Sequence, residues 1–156
     1  MKLASIKANN RRRAFEVTCA NGEFIFPYEK ADPRPGRDDP IVELFIDPDL
    51  AHEGFSYVLA SGADGCVLLD WVFAYNEEPG YMRDLLLHNL TVQTLDRLEA
   101  TRLSKREIIR RLGTSPAQFY RLIDPTNYRK SVDKMLLLLQ VLGCEVDLVV
   151  RDRKSA

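Results

Sequence analysis

The feature that most restricts this chain is a change of apolar period at Glu77-Glu78-Pro79-Gly80. Before it, apolar and polar residues tend to alternate, the period of a half-buried strand. After it, apolar residues recur three and four apart, the period of an amphipathic helix. Tyr81, Leu85, His88, Val92 and Leu95 follow the second rule. Strands gathered in one half and helices in the other predict an α+β architecture, not an alternating one. The expected division is an antiparallel β domain over residues 1–78 and a helical domain over 79–156.

Within the first half, Phe15–Ala20 and Glu23–Tyr28 flank Asn21-Gly22, a pair that accepts the positive φ angles of a type I′ turn. Counting outward pairs Cys19 with Phe24, Val17 with Phe26 and Phe15 with Tyr28, all on one buried face. Glu29–Pro40 is a polar loop rich in Pro and charge. Ile41–Ile46 reads as a strand stopped by Asp47-Pro48-Asp49, and Phe55–Ser61 with Cys66–Val72 as a second hairpin about Ala63-Asp64-Gly65. The expected product is one small antiparallel sheet of four or five strands, with no internal repeat.

In the second half, 81–100 reads as one helix, or as two if Thr91 caps a fresh start. Further helices are expected over Ser104–Leu112, Ser115–Ile123 and Ser131–Leu142, with Gly113 and Gly143 at helix C-termini. Leu136–Leu139 makes the last helix apolar on nearly every side, which suits a closing core helix or, beyond that, one that also meets a second subunit. Glu145–Arg151 alternates like a strand and is expected to pair either with the N-terminal sheet or with its equivalent in a second subunit.

Charge separates the halves again. The 156 residues sum to −1, but residues 1–90 hold nine basic against fifteen acidic side chains, a net −6. Residues 91–130 hold nine basic against four acidic, a net +5. A basic block beside an acidic domain suggests a local site for a polyanion. No apolar run approaches the roughly 18 residues of a membrane span, and Met1–Ala8 followed by Arg11, Arg12 and Arg13 is not a secretory leader. Cys19, Cys66 and Cys144 have neither zinc-ligand spacing nor an even disulfide count, so reduced thiols in a cytoplasmic protein are expected.

The informative block is Arg102–Ile123, RLSKREIIRRLGTSPAQFYRLI. Ser104 with Glu107 three residues on is a capping-box pattern, and Ile108 and Leu112 form an inner face. Gly113 allows a sharp turn. Ser115 caps the next helix with Pro116 at its first position, and Phe119 and Leu122 pack it against the first. Two short helices joined in this way over 104–123 predict a helix-turn-helix. Leu-Ser-x-x-Glu-hydrophobic, then Leu112-Gly113, then Phe119 and Leu122 resembles the lambda-repressor-like, or XRE/Cro, family of DNA-binding domains. The resemblance covers about 91–142 and implies a five-helix bundle. One departure is Ile109, where that family usually has a small residue four positions before the turn glycine.

The resemblance implies double-stranded DNA as the partner and a homodimer as the active form, with half-sites about 34 Å apart. The helix 115–123 would enter the major groove with Ala117, Gln118, Tyr120 and Arg121 toward base edges. Gln suits the N6/N7 edge of adenine, Arg the O6/N7 edge of guanine, and Ala a thymine methyl. Lys105, Arg106, Thr114, Ser115, Asn127, Arg129 and Lys130 would meet phosphates. Proteins that resemble this one are often transcriptional regulators, with a repressor the expected form, and many are antitoxins whose second domain covers a toxin. The competing expectation is a protein-interaction scaffold that has kept the fold without binding DNA.

Catalysis is not expected. His52 and His88 are the only histidines, and His88 lies on a helical apolar stripe. No nucleophile elbow, phosphate-binding glycine loop or metal-ligand spacing occurs. Asp38, Asp39, Asp47 and Asp49 sit beside Pro and Gly, where Asp serves turns. Neither a metal nor a cofactor is expected. The β domain is left with three candidate roles: partner binding, ligand sensing or dimerisation.

Overall fold

The computed structural model describes residues 1–154 and is α+β, with two three-stranded antiparallel sheets and five helices. The chain divides into two compact units, Met1–Met82 and the remainder from Arg83.

The first unit opens with a meander of β1 (Leu3–Asn9), β2 (Ala14–Cys19) and β3 (Gly22–Pro27) in the order β1-β2-β3. A second meander follows, β4 (Ile41–Ile46), β5 (Gly54–Leu59) and β6 (Asp64–Leu68), in the order β4-β5-β6. Helix α1 (Leu69–Asn76) closes the unit. The single expected sheet is therefore two sheets that share a core. β2 and β5 bury alternate residues in the same pattern, and Phe15 meets Phe55 and Tyr57 with ring centroids 4.8 and 5.2 Å apart.

The two meanders repeat one pattern that strand alternation alone does not reveal. Phe15-x-Val17-x-Cys19-Ala20-Asn21-Gly22 matches Phe55-x-Tyr57-x-Leu59-Ala60-Ser61-Gly62, and both glycines adopt positive φ, 126° and 89°. Each first strand also carries a register irregularity, at Leu3/Ser5 and at Ile41/Glu43. The expectation of no internal repeat is thus overturned.

Three local readings also change. Cys19 pairs with Gly22, Val17 with Phe24 and Phe15 with Phe26, so the first hairpin turns at Ala20-Asn21, with the register shifted by two residues. A two-residue slip returns every side chain to the same face, so the buried face was right and the partners wrong. In the second hairpin Val58 pairs with Asp64, which moves the turn to residues 60–63. Leu69–Val72, expected as strand, begins α1, and Leu69, Val72 and Phe73 are buried. An apolar run of this length does not distinguish strand from buried helix.

The second unit contains most of α2 (Pro79–Ala100), then α3 (Lys105–Leu112), α4 (Pro116–Leu122) and α5 (Val132–Val141). The segment 81–100 lies within one helix, and Thr91 is fully buried at its centre, donating to the Leu87 carbonyl at 2.7 Å. Among the described residues this unit therefore has four helices, not five. Ile108, Phe119, Leu122, Met135 and Leu138 form its core, with Ile109 half-buried against them. Residues 145–151, expected as a strand, lie outside regular structure. A strand needs a hydrogen-bonded neighbour, and none of the six described strands pairs with this segment.

Candidate nucleic-acid interface

Helices α3, α4 and α5 each start where their sequence dictates. Ser104 accepts from the Glu107 amide, Ser115 from the Gln118 amide and Ser131 from the Lys134 amide, all at 3.2 Å. Each satisfies an orphan N–H at a helix start. Gly113 ends α3 at φ 65°, ψ 34°, a left-handed conformation that suits glycine. The capping box at Ser104 is half made. The Glu107 carboxylate turns from the cap to Arg110, at 2.6 and 2.9 Å, and to Arg111 at 2.9 Å. Hydrogen bonds from these two guanidiniums hold the Glu107 carboxyl down to about 2.

Burial orients α4. Phe119 and Leu122, three apart, point inward, with Phe119 fully enclosed. Helical geometry then turns the other faces outward, and Ala117, Gln118, Tyr120 and Arg121 are all exposed. Lys105 and Arg106 are exposed on the first turn of α3, and the Lys105 Nζ stands 5.8 Å from the Tyr120 ring centroid. That is within reach of a cation–π contact.

A groove of about 490 Å³ draws six of the expected residues together: Thr114, Gln118, Arg121, Asn127, Arg129 and Lys130. Lys134 of α5 adds a fourth cation, and no carboxylate lines the groove. Lys134 was missed because its helix reads as a core helix, although its place in the first turn of α5 frees its side chain for the surface. Ser115, Ala117, Tyr120, Lys105 and Arg106 do not line the groove.

Two of the expected phosphate residues have other work. Lys130 donates to Thr91 Oγ1 at 2.6 Å, to the Asp124 carbonyl at 2.7 Å and to the Leu122 carbonyl at 3.0 Å. An ammonium has three protons, so these bonds employ all of its donors. Burial lowers the Lys130 pKa, against the opposing pull of Asp124. Lys130 is thus a brace between α2 and the turn after α4. Asn127 donates to the Arg121 carbonyl at 3.0 Å and accepts from the Arg129 amide at 3.1 Å, which shapes that turn. Asp124 is occupied by Thr126, whose hydroxyl donates to it at 2.8 Å and holds its pKa down. His88 also meets this turn, with Nδ1 3.3 Å from the Pro125 carbonyl.

No family model, curated protein or solved structure matches this chain. No helix among the described residues is long and apolar enough to cross a membrane, and no described group of His, Cys, Asp and Glu has the arrangement of a metal site.

Proposed function

We propose that this protein is a sequence-specific DNA-binding regulator that works as a homodimer, with α3 and α4 as a helix-turn-helix and α4 as its reading helix. One observation carries the reading: burial of Phe119 and Leu122 presents Gln118 and Arg121 to solvent beside a four-cation groove without a carboxylate. Gln118 and Arg121 offer the bidentate hydrogen bonds that discriminate adenine and guanine. Ala117 and Tyr120 complete the reading face. Lys105, Arg106, Thr114, Ser115, Arg129 and Lys134 supply phosphate contacts, which confer affinity without sequence information. Lys130 and Asn127 hold the turn from which Arg129 projects and contribute charge or shape instead of direct contact.

The homodimer draws support from α5 and the residues after it. Val132, Leu136 and Leu137 are exposed at 51, 41 and 42 %, and Leu148 and Val150 at 86 and 88 %. Apolar surface of this kind favours a partner, and a second copy matches a two-fold operator. Repression by operator occupancy in the cytoplasm is the simplest output, and an autoregulating antitoxin is the form in which the β unit would bind a toxin.

The test is selection of a preferred duplex from a random-sequence pool, followed by titration of variants. Arg121→Ala is expected to relax preference at one base position by roughly 1–3 kcal/mol. Lys105→Ala should weaken all duplexes alike. If neither variant differs from the parent, the interface is misassigned. A scaffold would yield no preferred duplex.

A further inference from the structure

Residues 1–82 carry eight basic and fourteen acidic side chains, yet one concavity in this unit is lined by three arginines and no carboxylate. It measures about 480 Å³ and is bounded by Arg11, Arg13 and Arg37, with Pro35, Pro40 and Ile41 supplying an apolar wall. Among the described residues, none of the three guanidiniums has a carboxylate within ion-pair distance.

The walls are held in place. Arg13 adopts φ 52°, a left-handed conformation that L residues seldom take, and its carbonyl accepts from the Tyr28 amide at 2.9 Å. The buried Tyr28 donates its hydroxyl to Asn10 Oδ1 at 2.9 Å, which ties the β1–β2 turn to the end of β3. On the other side, the Gly36 amide donates to the Asp39 carbonyl at 3.1 Å, and the Ala60 amide to the Pro40 carbonyl at 2.9 Å. Ser61 donates its amide and hydroxyl to the Asp39 carboxylate, at 2.8 and 2.7 Å. That carboxylate is thereby drawn to Ser61 instead of to Arg37.

We infer that this concavity binds a phosphorylated small molecule of nucleotide size, its phosphates among Arg11, Arg13 and Arg37 and its less polar body against Pro35, Pro40 and Ile41. The volume lies within the roughly 300–1,000 Å³ of small-molecule sites. Guanidiniums match phosphate oxygens through paired, charge-assisted hydrogen bonds. Three clustered guanidiniums without carboxylate partners repel one another, and a polyanion relieves that repulsion. The inference does not depend on DNA binding.

Isothermal titration of the full chain with ADP, pyrophosphate, adenosine and citrate tests it. ADP should bind several-fold more tightly than pyrophosphate, and pyrophosphate more tightly than citrate, with adenosine alone not binding. Arg11→Gln and Arg37→Gln, on separate segments, should each weaken ADP about tenfold or more, with the folded circular dichroism spectrum retained. Arg121→Gln, on the helical unit, should leave ADP binding unchanged. Absence of ADP binding would overturn the inference. So would citrate matching pyrophosphate, pyrophosphate matching ADP, or a loss of ADP binding in Arg121→Gln but not in the β-unit variants.

Discussion

The two units solve the same packing problem with different materials. The β unit fills its core with aromatic rings from both meanders, Phe15 of β2, Tyr28 just after β3, and Phe55 and Tyr57 of β5, with Phe15 in ring contact with each of the other three. The helical unit places one aromatic ring, Phe119, among aliphatic side chains that come from helices near one another in sequence. Its order at helix starts comes from three serine caps, each reaching only three residues ahead. Stability in the first unit therefore rests on long-range pairing, and in the second on local signals plus a small core. The first unit is an acidic, ring-packed body, and the second carries the basic helical surface.

The largest effect that would sharpen this contrast is Phe119→Ala. Removing a fully buried ring costs about 3–5 kcal/mol, more than a core of this size readily tolerates. Helical amide protection in α3 to α5 should collapse while protection in β2 and β5 persists, as read by hydrogen exchange. Loss of protection in both units together would break the contrast.

Gly65→Ala should do the reverse on a smaller scale. A Cβ there would stand 2.5 Å from the Tyr57 hydroxyl oxygen and 2.6 Å from the Asp32 carbonyl oxygen, one of them backbone. Overpacking of this kind costs about 1–3 kcal/mol. Chemical denaturation should show the β unit weakened and the helical transition unmoved.

The smallest effect is a difference in pH response. Burial first, and then the Asp32 charge, pushes the Tyr57 phenol up to about 12, and its hydroxyl donates to the Pro33 carbonyl at 2.6 Å. A raised folded pKa means that this stabilisation is complete below the ordinary 10.0 and lost as pH rises through about 12. The half-buried Glu107 runs oppositely: its folded pKa is lowered, so its contribution is complete above the ordinary 4.5 and lost as pH falls through about 2. Thermal melts should show Tyr57→Phe flattening the alkaline limb and Glu107→Gln flattening a shallow, salt-sensitive acid limb. A limb unchanged by its variant would show that the residue does not contribute to the pH response.

Legibility in the sequence followed the range of the interaction. Ser104, Ser115 and Ser131 announce caps because the bond they make lies three residues away, and Gly113 and Gly143 announce helix ends for the same reason. Phe119 and Leu122 were legible as an inward pair, so the exposed positions of Ala117, Gln118, Tyr120 and Arg121 followed. β1 was not legible, because LASIKAN buries only Leu3 fully and gives no clean alternation. Hairpin register was not either, since Asn21-Gly22 satisfies a turn rule that the strands on either side override. α1 reads as strand because LDWVFAYN is apolar over most of its circumference. Lys130 looked like a surface cation because nothing local reveals that Thr91, 39 residues away, receives one of its protons.

The basic helical surface is proposed to read duplex DNA. The most direct measurement is fluorescence anisotropy of the full chain with its preferred duplex and with a scrambled one, at 50 and 200 mM salt. Neutralising roughly four phosphates per subunit, about eight in the dimer, predicts that affinity falls by about ten-thousand-fold over that range, with the preferred duplex bound more tightly at both concentrations. Equal, weak binding to both duplexes would contradict the claim and leave only a charged surface.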